Sequence, residues 1–454
     1  MKPPIDAVCA EASYPKPAYA WFVVALLFGA AIISYTDRQV LSLLVDPVRR
    51  DLNISDTQVS LLIGSAFAVI YGFAGIPLGY LADRTSRRNL IAGGMLIWSM
   101  ATISCGFVHS FRQFFAARVL VGLGEAVLSP AAVSLISDYF PPSRRATALG
   151  AYFTGIAIGI GSAILIGGGL LHAINRGMLN GTALSAEPPW RLVFMLIGVP
   201  GLIWLILIRC IREPVRRQIL AGGRAPASPE QASRDKARAD RLQLIPIFVA
   251  VAMASFADNA IAAWSPSLLI RDFHRSAADV GVTLGTLFMI GGAAGMMVGG
   301  VCADRAQRTG GWYARVRICL VAAFLNGLAL TLIEANNYPA TLIAVAVTYF
   351  MSGVMTSTGL TAILDLVPNR RRGTATSVSF FLNVAIGAGI GPTAVALTGS
   401  YLFGGDAGLR PALFVVTEAA IIVMAASVAF ALYRHRQTHP ALQAAPGDYG
   451  APIE

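Results

Sequence analysis

Apolar stretches of about twenty residues recur along the whole chain, each long enough to cross the roughly 30 Å hydrocarbon core of a bilayer as a helix. Backbone in lipid must satisfy its own hydrogen bonds, so helices are the natural way to use such stretches. The expected spans are 19–48, 56–82, 88–108, 111–139, 145–172, 191–209, 244–270, 277–302, 314–335, 339–366, 372–402 and 409–433. Composition agrees. Only 13% of the 454 residues are Asp, Glu, Lys or Arg, against about 25% in a soluble chain. That is too little charge to clothe a globular surface. The chain reads as an all-α polytopic membrane protein with twelve spans.

The net charge of +11 invites a nucleic-acid reading, which the placement of the charges removes. With an even number of spans both termini share one side. That side carries twenty-five Lys and Arg, among them Lys2, Lys16, Arg84, Arg87, Arg88, Arg144, Arg145, Arg305 and Arg370–Arg372, against eight on the other. The bias places both termini in the cytoplasm, and no nucleic acid is expected as a partner. Five scattered cysteines show no paired spacing, so neither a disulfide framework nor a metal cluster is expected. The first apolar run is too long for the core of a cleavable signal. Arg greatly outnumbers Lys, which points toward a GC-rich bacterial genome and a bacterial inner membrane.

An internal repeat organises the chain. Asp83-Arg84 ends span 2 with Gly79 four residues before the Asp, and Asp304-Arg305 ends span 8 with Gly300 four residues before, at an offset of 221. DYFPPSRRATA at 138–148 then matches DLVPNRRRGTA at 365–375, at an offset of 227. The change of six implies a length difference in the connections. Two parallel repeats of six spans are the arrangement of the major facilitator fold. The expected domains are 1–209 and 244–454, joined by a polar cytoplasmic linker at 210–243.

The motif GYLADRTSRR (79–88) resembles the cytoplasmic loop signature of the major facilitators, with Ser86 where the family usually has Gly. Gly79 permits close helix approach, Asp83 suits a helix N-terminus of the partner bundle, and Arg84, Arg87 and Arg88 supply bonds that can form and break. With Asp138, Arg144, Arg145, Asp304 and Arg305 they form the expected gating set.

Six ionisable residues lie well inside the spans: Asp37, Arg38, Arg118, Glu125, Asp258 and Glu418. Charge at that depth is costly unless paired or facing a wet cavity, which marks each as a functional candidate. Arg118 and Glu125 are seven residues apart on one helix face, about 10 Å in rise. Asp37 reaches a depth similar to that of Arg118 from the opposite side, so the two are expected to pair. Asp37 plus 221 is Asp258, while Arg118 and Glu125 plus 227 are Val345 and Ser352. The charge machinery is thus concentrated in the first half. A carboxylate that alternates between ion pairing and a protonated state is a proton carrier, and Asp37, Arg38, Arg118 and Glu125 are the expected proton-coupling set. Asp258 is an additional proton or substrate candidate. Glu418, on the last span, fits packing or a lipid interface better.

Tyr71, Tyr152, Trp264, Tyr349 and Asn383 are substrate-contact candidates, each equally at home as a packing residue. The glycine-rich runs at 150–169 and 285–300 read as helix-contact surfaces. They lack the Lys and the strand of a phosphate loop. The five histidines sit at span ends or in the tail, and no hydrolase or metalloprotease signature occurs. No enzymatic activity is expected, and no cofactor beyond the proton as coupling ion.

SYTDRQVLSLLVDPVRRDLNISDTQVSLLIGSAFAVIYGFAGIPLGYLADR (34–84), WSMAT (98–102) and ARVLVGLGEAVLSPAAVSLISDYFPPSRRATALGAY (117–152) resemble the Spinster-like branch of the major facilitators. The match is dense over spans 1 to 5 and thins afterwards to the Asp-Arg and Pro-x-x-Arg-Arg landmarks. The resemblance implies a proton-linked lipid transporter, and its span-1 Asp-Arg and span-4 Arg and Glu fall on Asp37, Arg38, Arg118 and Glu125. Symporters of sugar acids carry a similar set, so the quartet does not choose between lipid and hydrophilic acid. A second half without Arg or Lys well inside its spans favours a lipid-like amphipath; a small organic acid is the alternative. The expected partners are membrane lipids and an amphipathic substrate, with the protein a monomer. Import and export both stay open.

Overall fold

The computed structural model describes residues 14–214, 230–367, 372–404 and 408–438. Among these, every regular element is helical. Helix α1 is Pro17–Gln39, followed by a 3₁₀ turn at Val40–Ser42 and a short helix at Val45–Leu52. Helix α2 begins as Asp56–Ser60, passes through a π segment at Leu61–Ser65 and continues as Ala66–Arg84. Then come α3 (Arg87–Cys105), α4 (Phe111–Tyr139), α5 (Pro142–Asn175) and α6 (Pro189–Arg209). Helix α7 is Glu230–Phe273. Ala277–Leu330 is one helical stretch broken by non-helical Gly310 and Gly311, giving α8 (277–309) and α9 (312–330). Helix α10 is Tyr338–Leu366. Helix α11 runs as Arg372–Leu382, a π segment at Asn383–Ala388 and Gly389–Leu402, and α12 is Leu409–Thr438.

Ten helical stretches among the described residues are long and apolar enough to cross a membrane. One of them divides at Gly310–Gly311, and α3, 19 residues long, lies outside the ten. Counting both accommodates twelve.

Local sequence sets the helix starts. Ser55 and Gln58 form a reciprocal capping box, and Ser86, Ser110 and Asn337 each accept a backbone N–H at the start of α3, α4 and α10. Pro opens α1, α5 and α6, where its missing N–H costs nothing. The first span differs from expectation. It is helical only to Gln39, so the carbonyls of its last turn need partners from elsewhere.

The chain divides into two compact units, Met1–Ser228 with Ser276–Gly285, and Pro229–Arg275 with Thr286–Glu454. In the first unit α5 lies along α1, and α3 along α4 and α6. A Cβ on Gly159 would come within 2.7 Å of the Tyr35 side chain and 3.0 Å of the Ile32 carbonyl, so the α5 glycines let two backbones touch. In the second unit α7 packs on α10, α11 and α12. There a Cβ on Gly295 would sit 2.0 Å from the Phe350 carbonyl. The two glycine-rich runs are helix-contact surfaces.

Candidate functional site

Four of the expected residues meet in the first unit. A close crossing puts them there: a Cβ on Gly94 of α3 would sit 2.6 Å from the Gly124 carbonyl of α4, one residue before Glu125. Asp37, Arg118 and Glu125 are buried, at 0%, 0% and 2% exposure. Arg38 Nε lies 3.6 Å from Glu125 Oε2. The Arg38 guanidinium lies 3.6 Å from the Phe67 ring centroid, 4.8 Å from that of Tyr35 and 5.2 Å from that of Tyr71. Aromatic faces thus supplement the carboxylate in holding this cation.

Arg118 behaves differently from the sequence expectation. Its guanidinium donates to three backbone carbonyls: Leu62 at 3.1 Å, Asp37 at 3.3 Å and Arg38 at 3.2 Å. No ion pair joins it to the Asp37 carboxylate; instead the Thr102 hydroxyl of α3 donates to Asp37 Oδ2 at 3.4 Å. The reason lies in two backbone irregularities. Helix α1 ends at Gln39 and leaves last-turn carbonyls open, and the π segment at Leu61–Ser65 disturbs the ladder around Leu62. Arg118 caps both, a sound use for a cation near a helix C-terminus.

The acids are held less completely. Asp37 Oδ1, Arg38 Nε and both Glu125 oxygens lack a hydrogen bond. Ser34 lies beside the Glu125 carboxylate but outside ordinary hydrogen-bond geometry. With two arginines and two acids the cluster is formally neutral. Protonating either acid would leave a net positive charge in a site whose polar groups are only partly satisfied.

The other candidates divide. Tyr71 stacks on Phe67 at 5.1 Å under Arg38 and so borders the cluster. Tyr152 is buried with its hydroxyl 3.3 Å from Ser129 Oγ. Trp264 is buried and donates to the Pro392 carbonyl at 2.9 Å, which ties α7 to α11. Asn383 opens the π segment of α11, and its carbonyl accepts from Ser255 at 3.3 Å. In the second unit, Ser352 lies beside the Asp258 carboxyl. Tyr349 stacks on Phe288 at 4.0 Å with its hydroxyl unpartnered. Glu418 faces Gly327, whose added Cβ would lie 3.0 Å from Glu418 Oε1.

At the cytoplasmic ends sits a second network. Arg87, 1% exposed, pairs with Asp138 and bonds Glu213 at 2.9 Å, the Ser134 hydroxyl at 3.0 Å and the Pro214 carbonyl at 3.3 Å. Glu213 also accepts from the backbone N–H of Arg87 at 3.2 Å and of Arg88 at 3.0 Å, and from the Ser86 hydroxyl at 2.9 Å. Burial works against its charge, but Arg87, the Arg88 N–H and Ser86 outweigh it and hold the carboxyl below the ordinary glutamate range. Arg88 reaches the Ile211 carbonyl at 3.0 Å, the Tyr139 hydroxyl donates to the Arg212 carbonyl, and the Arg212 N–H donates to the Tyr19 hydroxyl at 2.9 Å. The first residues after α6 are therefore tied to α1, α3 and α4.

The second unit repeats the central pair. Arg315 pairs with Asp365, the repeat partner of Asp138, and donates to the Ala303 carbonyl at 3.3 Å. Arg315 is the counterpart of Arg87 in this role, 228 residues on. The length change implied by the two offsets therefore lies between Arg305 and Arg315, where Gly310 and Gly311 break the helix. Sequence reading missed Glu213 and Arg315, although continuing the repeat past Arg305 gives a signal for Arg315. Arg84, Arg144, Asp304 and Arg305 are exposed. The side chains of Asp83 and Arg145, and residues Arg370 and Arg371, lie outside the described residues.

A helical fold built of two repeated units, with charge neutralised inside one of them, defines a membrane transporter. The family model of the Major Facilitator Superfamily matches residues 27–392 and 247–450, and the chain belongs to that superfamily. It is 29% identical over 429 residues to an MFS-type efflux pump of Mycolicibacterium smegmatis, covering 93% of this chain and 94% of that one. Protein spinster homolog 1 of Xenopus laevis is 25% identical over 414 residues, 87% of this chain and 75% of the relative. A hexuronate transporter of Bacillus subtilis is 26% identical over 390 residues, 83% and 86%. In fold the chain resembles the crystal structure of a bacterial homolog of the human lysosomal transporter Spinster, with TM-score 0.77 at 23% identity, over 93% of this chain and 98% of that one.

Proposed function

We propose that this protein is a proton-coupled secondary transporter that moves a lipid-like or hydrophobic amphipathic substrate, such as a lysolipid, by alternating access. The observation that carries the coupling is the Asp37–Arg38–Arg118–Glu125 cluster, buried in the first unit with carboxylate oxygens lacking hydrogen bonds. A proton taken up by Glu125 would break its attraction to Arg38 and leave that guanidinium to the rings of Phe67, Tyr35 and Tyr71. Such a local change in charge can bias a bistable fold. Arg118 stays fixed on backbone carbonyls throughout, so it holds the frame in which the acids titrate.

The amphipath reading draws on the second unit, where Arg315, Arg317, Arg372 and Arg410 lie near the ends of the expected spans and no Arg or Lys lies well inside them to grip a carboxylate. Likeness to spinster proteins points the same way. A second reading is symport of a small organic anion, favoured by the similarity to a hexuronate transporter over most of both chains. The Lys and Arg bias between the two sides supports both termini in the cytoplasm; a bacterial inner membrane and a monomer complete the reading.

The test is uptake of a fluorescent lysophospholipid into proteoliposomes with and without an imposed pH gradient, scored only where excess hexuronate fails to suppress it. Gradient-dependent movement supports amphipath transport. Hexuronate-driven proton movement without lysophospholipid flux would replace it with the anion reading.

A further inference from the structure

The six ionisable residues inside the expected spans sum to minus two, and the structure localises that surplus. The first-unit cluster is balanced, so the excess rests on Asp258 and Glu418. Asp258, at the helix position that repeats Asp37, meets a different neighbour. Ser352, which replaces Glu125 in the repeat, lies beside its carboxyl, and Val345 stands where Arg118 would be. Asp258 Oδ1 has no hydrogen-bond partner. The hydroxyl of Tyr349, a residue 4% exposed, is also unpartnered and lies within electrostatic reach of Asp258. Both oxygens are enclosed by protein and lack a hydrogen-bond partner.

Among the described side chains, no ion pair joins Asp258 to an ionisable group on the helices packed against α7. On α10, Tyr349 is the neighbour, Asp365 is engaged by Arg315, and Tyr338 lies under Arg275. On α11, Arg372 and Tyr401 stand at the two ends. On α12, Arg410 pairs with Asp272 at 2.7 Å, Glu418 faces Gly327, and Tyr433, Arg434, His435 and Arg436 belong to the last turns. A full negative charge at this depth, with Oδ1 unpartnered, is costly. A hydrogen on Oδ1 removes the charge.

We propose that Asp258, with Ser352 and Tyr349, forms a second proton-binding site that belongs to the second unit and is separate from the Asp37–Glu125 cluster. It takes a proton from water onto Oδ1 and returns it to water, with no other bond made or broken. This inference rests on the reading of the protein as proton-coupled, and it adds that the two units bind protons independently: one beside built-in arginines, the other beside hydroxyls alone.

The experiment is charge displacement after a pH jump in proteoliposomes on a solid-supported membrane, without any substrate. Asp37→Asn/Glu125→Gln keeps a reduced response, and adding Asp258→Asn brings it to the level of empty liposomes. Asp258→Glu in that double variant retains the response, and Tyr349→Phe moves its pH midpoint without abolishing it. A response that is already absent in Asp37→Asn/Glu125→Gln, that survives Asp258→Asn, or that is lost in Asp258→Glu would overturn the proposal. A full wild-type response in the double variant that vanishes with Asp258→Asn would sink the first-unit reading and support this one.

Discussion

Corresponding helices of the two units carry an acid at Asp37 and at Asp258, yet the surroundings differ in kind. Around Asp37 stand Thr102, Arg38, Arg118 and Glu125; around Asp258 stand Ser352 and Tyr349. The cytoplasmic ends tell the opposite story. Arg87 meets Asp138 and Arg315 meets Asp365, in the same arrangement, although the connection before Arg315 is longer. The repeat has thus kept the buried pair that ties helices together at the cytoplasmic face, while the middle of each unit has diverged. Packing requirements are shared by both units, and the charged groups in their interiors are not. The Arg87 pair has also acquired a third member, Glu213, which anchors the chain leaving α6.

Four tests would break or sharpen this comparison. The largest effect is expected from Glu125→Gln and Asp37→Asn, which keep shape but remove the titratable proton. Gradient-driven flux should fall to background with the protein still folded, and unchanged flux in both would end the first-unit coupling role. Next, Arg87→Ala strands Asp138 and strips Glu213 of its cation; losing one partner of a buried pair costs about 3–5 kcal/mol. Arg315→Ala should cost less in thermal unfolding, because the Asp365 side chain is 30% exposed against 3% for Asp138, so water can replace the lost partner. Equal losses would mean that exposure does not set the difference.

Gly94→Leu comes third. Its Cβ would fall 2.6 Å from the Gly124 carbonyl, and overpacking of this sort costs about 1–3 kcal/mol. Because the crossing positions Glu125, coupling should suffer along with the melting temperature; full flux with a lowered melting temperature would separate the two. The smallest effect concerns Glu213. Its carboxyl is depressed in the folded protein, so its contribution is present above the ordinary glutamate value and is lost as pH falls through the lower folded value. The stability difference between wild type and Glu213→Gln should accordingly be constant near neutrality and close on the acid side, below about pH 4. A difference that closes on the alkaline side would mean that another group is responsible.

Much of this was legible in the residues. Asp37, Arg38, Arg118 and Glu125 declared themselves because charge in a span demands an explanation, and their spacing placed Asp37 and Arg118 at a similar depth. Their wiring was not legible. Pairing opposite charges is the obvious guess, and Arg118 follows it only until the backbone is known. Where α1 stops, and that α2 passes through a π segment, depends on how neighbouring helices pack, and those two breaks supplied the carbonyls that took the guanidinium. Trp264 and Tyr152, offered as ligand contacts, have partners inside the protein. Glu213 was hidden in a stretch that reads as polar linker, since nothing local marks an acid that will meet Arg87 from 126 residues away.

The sequence by itself determined that the chain crosses a membrane, that it is built of two repeats and which ionisable residues lie inside, because hydrophobic length, charge asymmetry and repeat spacing are one-dimensional quantities. Only the tertiary structure decided which charge meets which. Hydrogen bonds act over about 3 Å, and that scale is set by where helices end and how closely they cross.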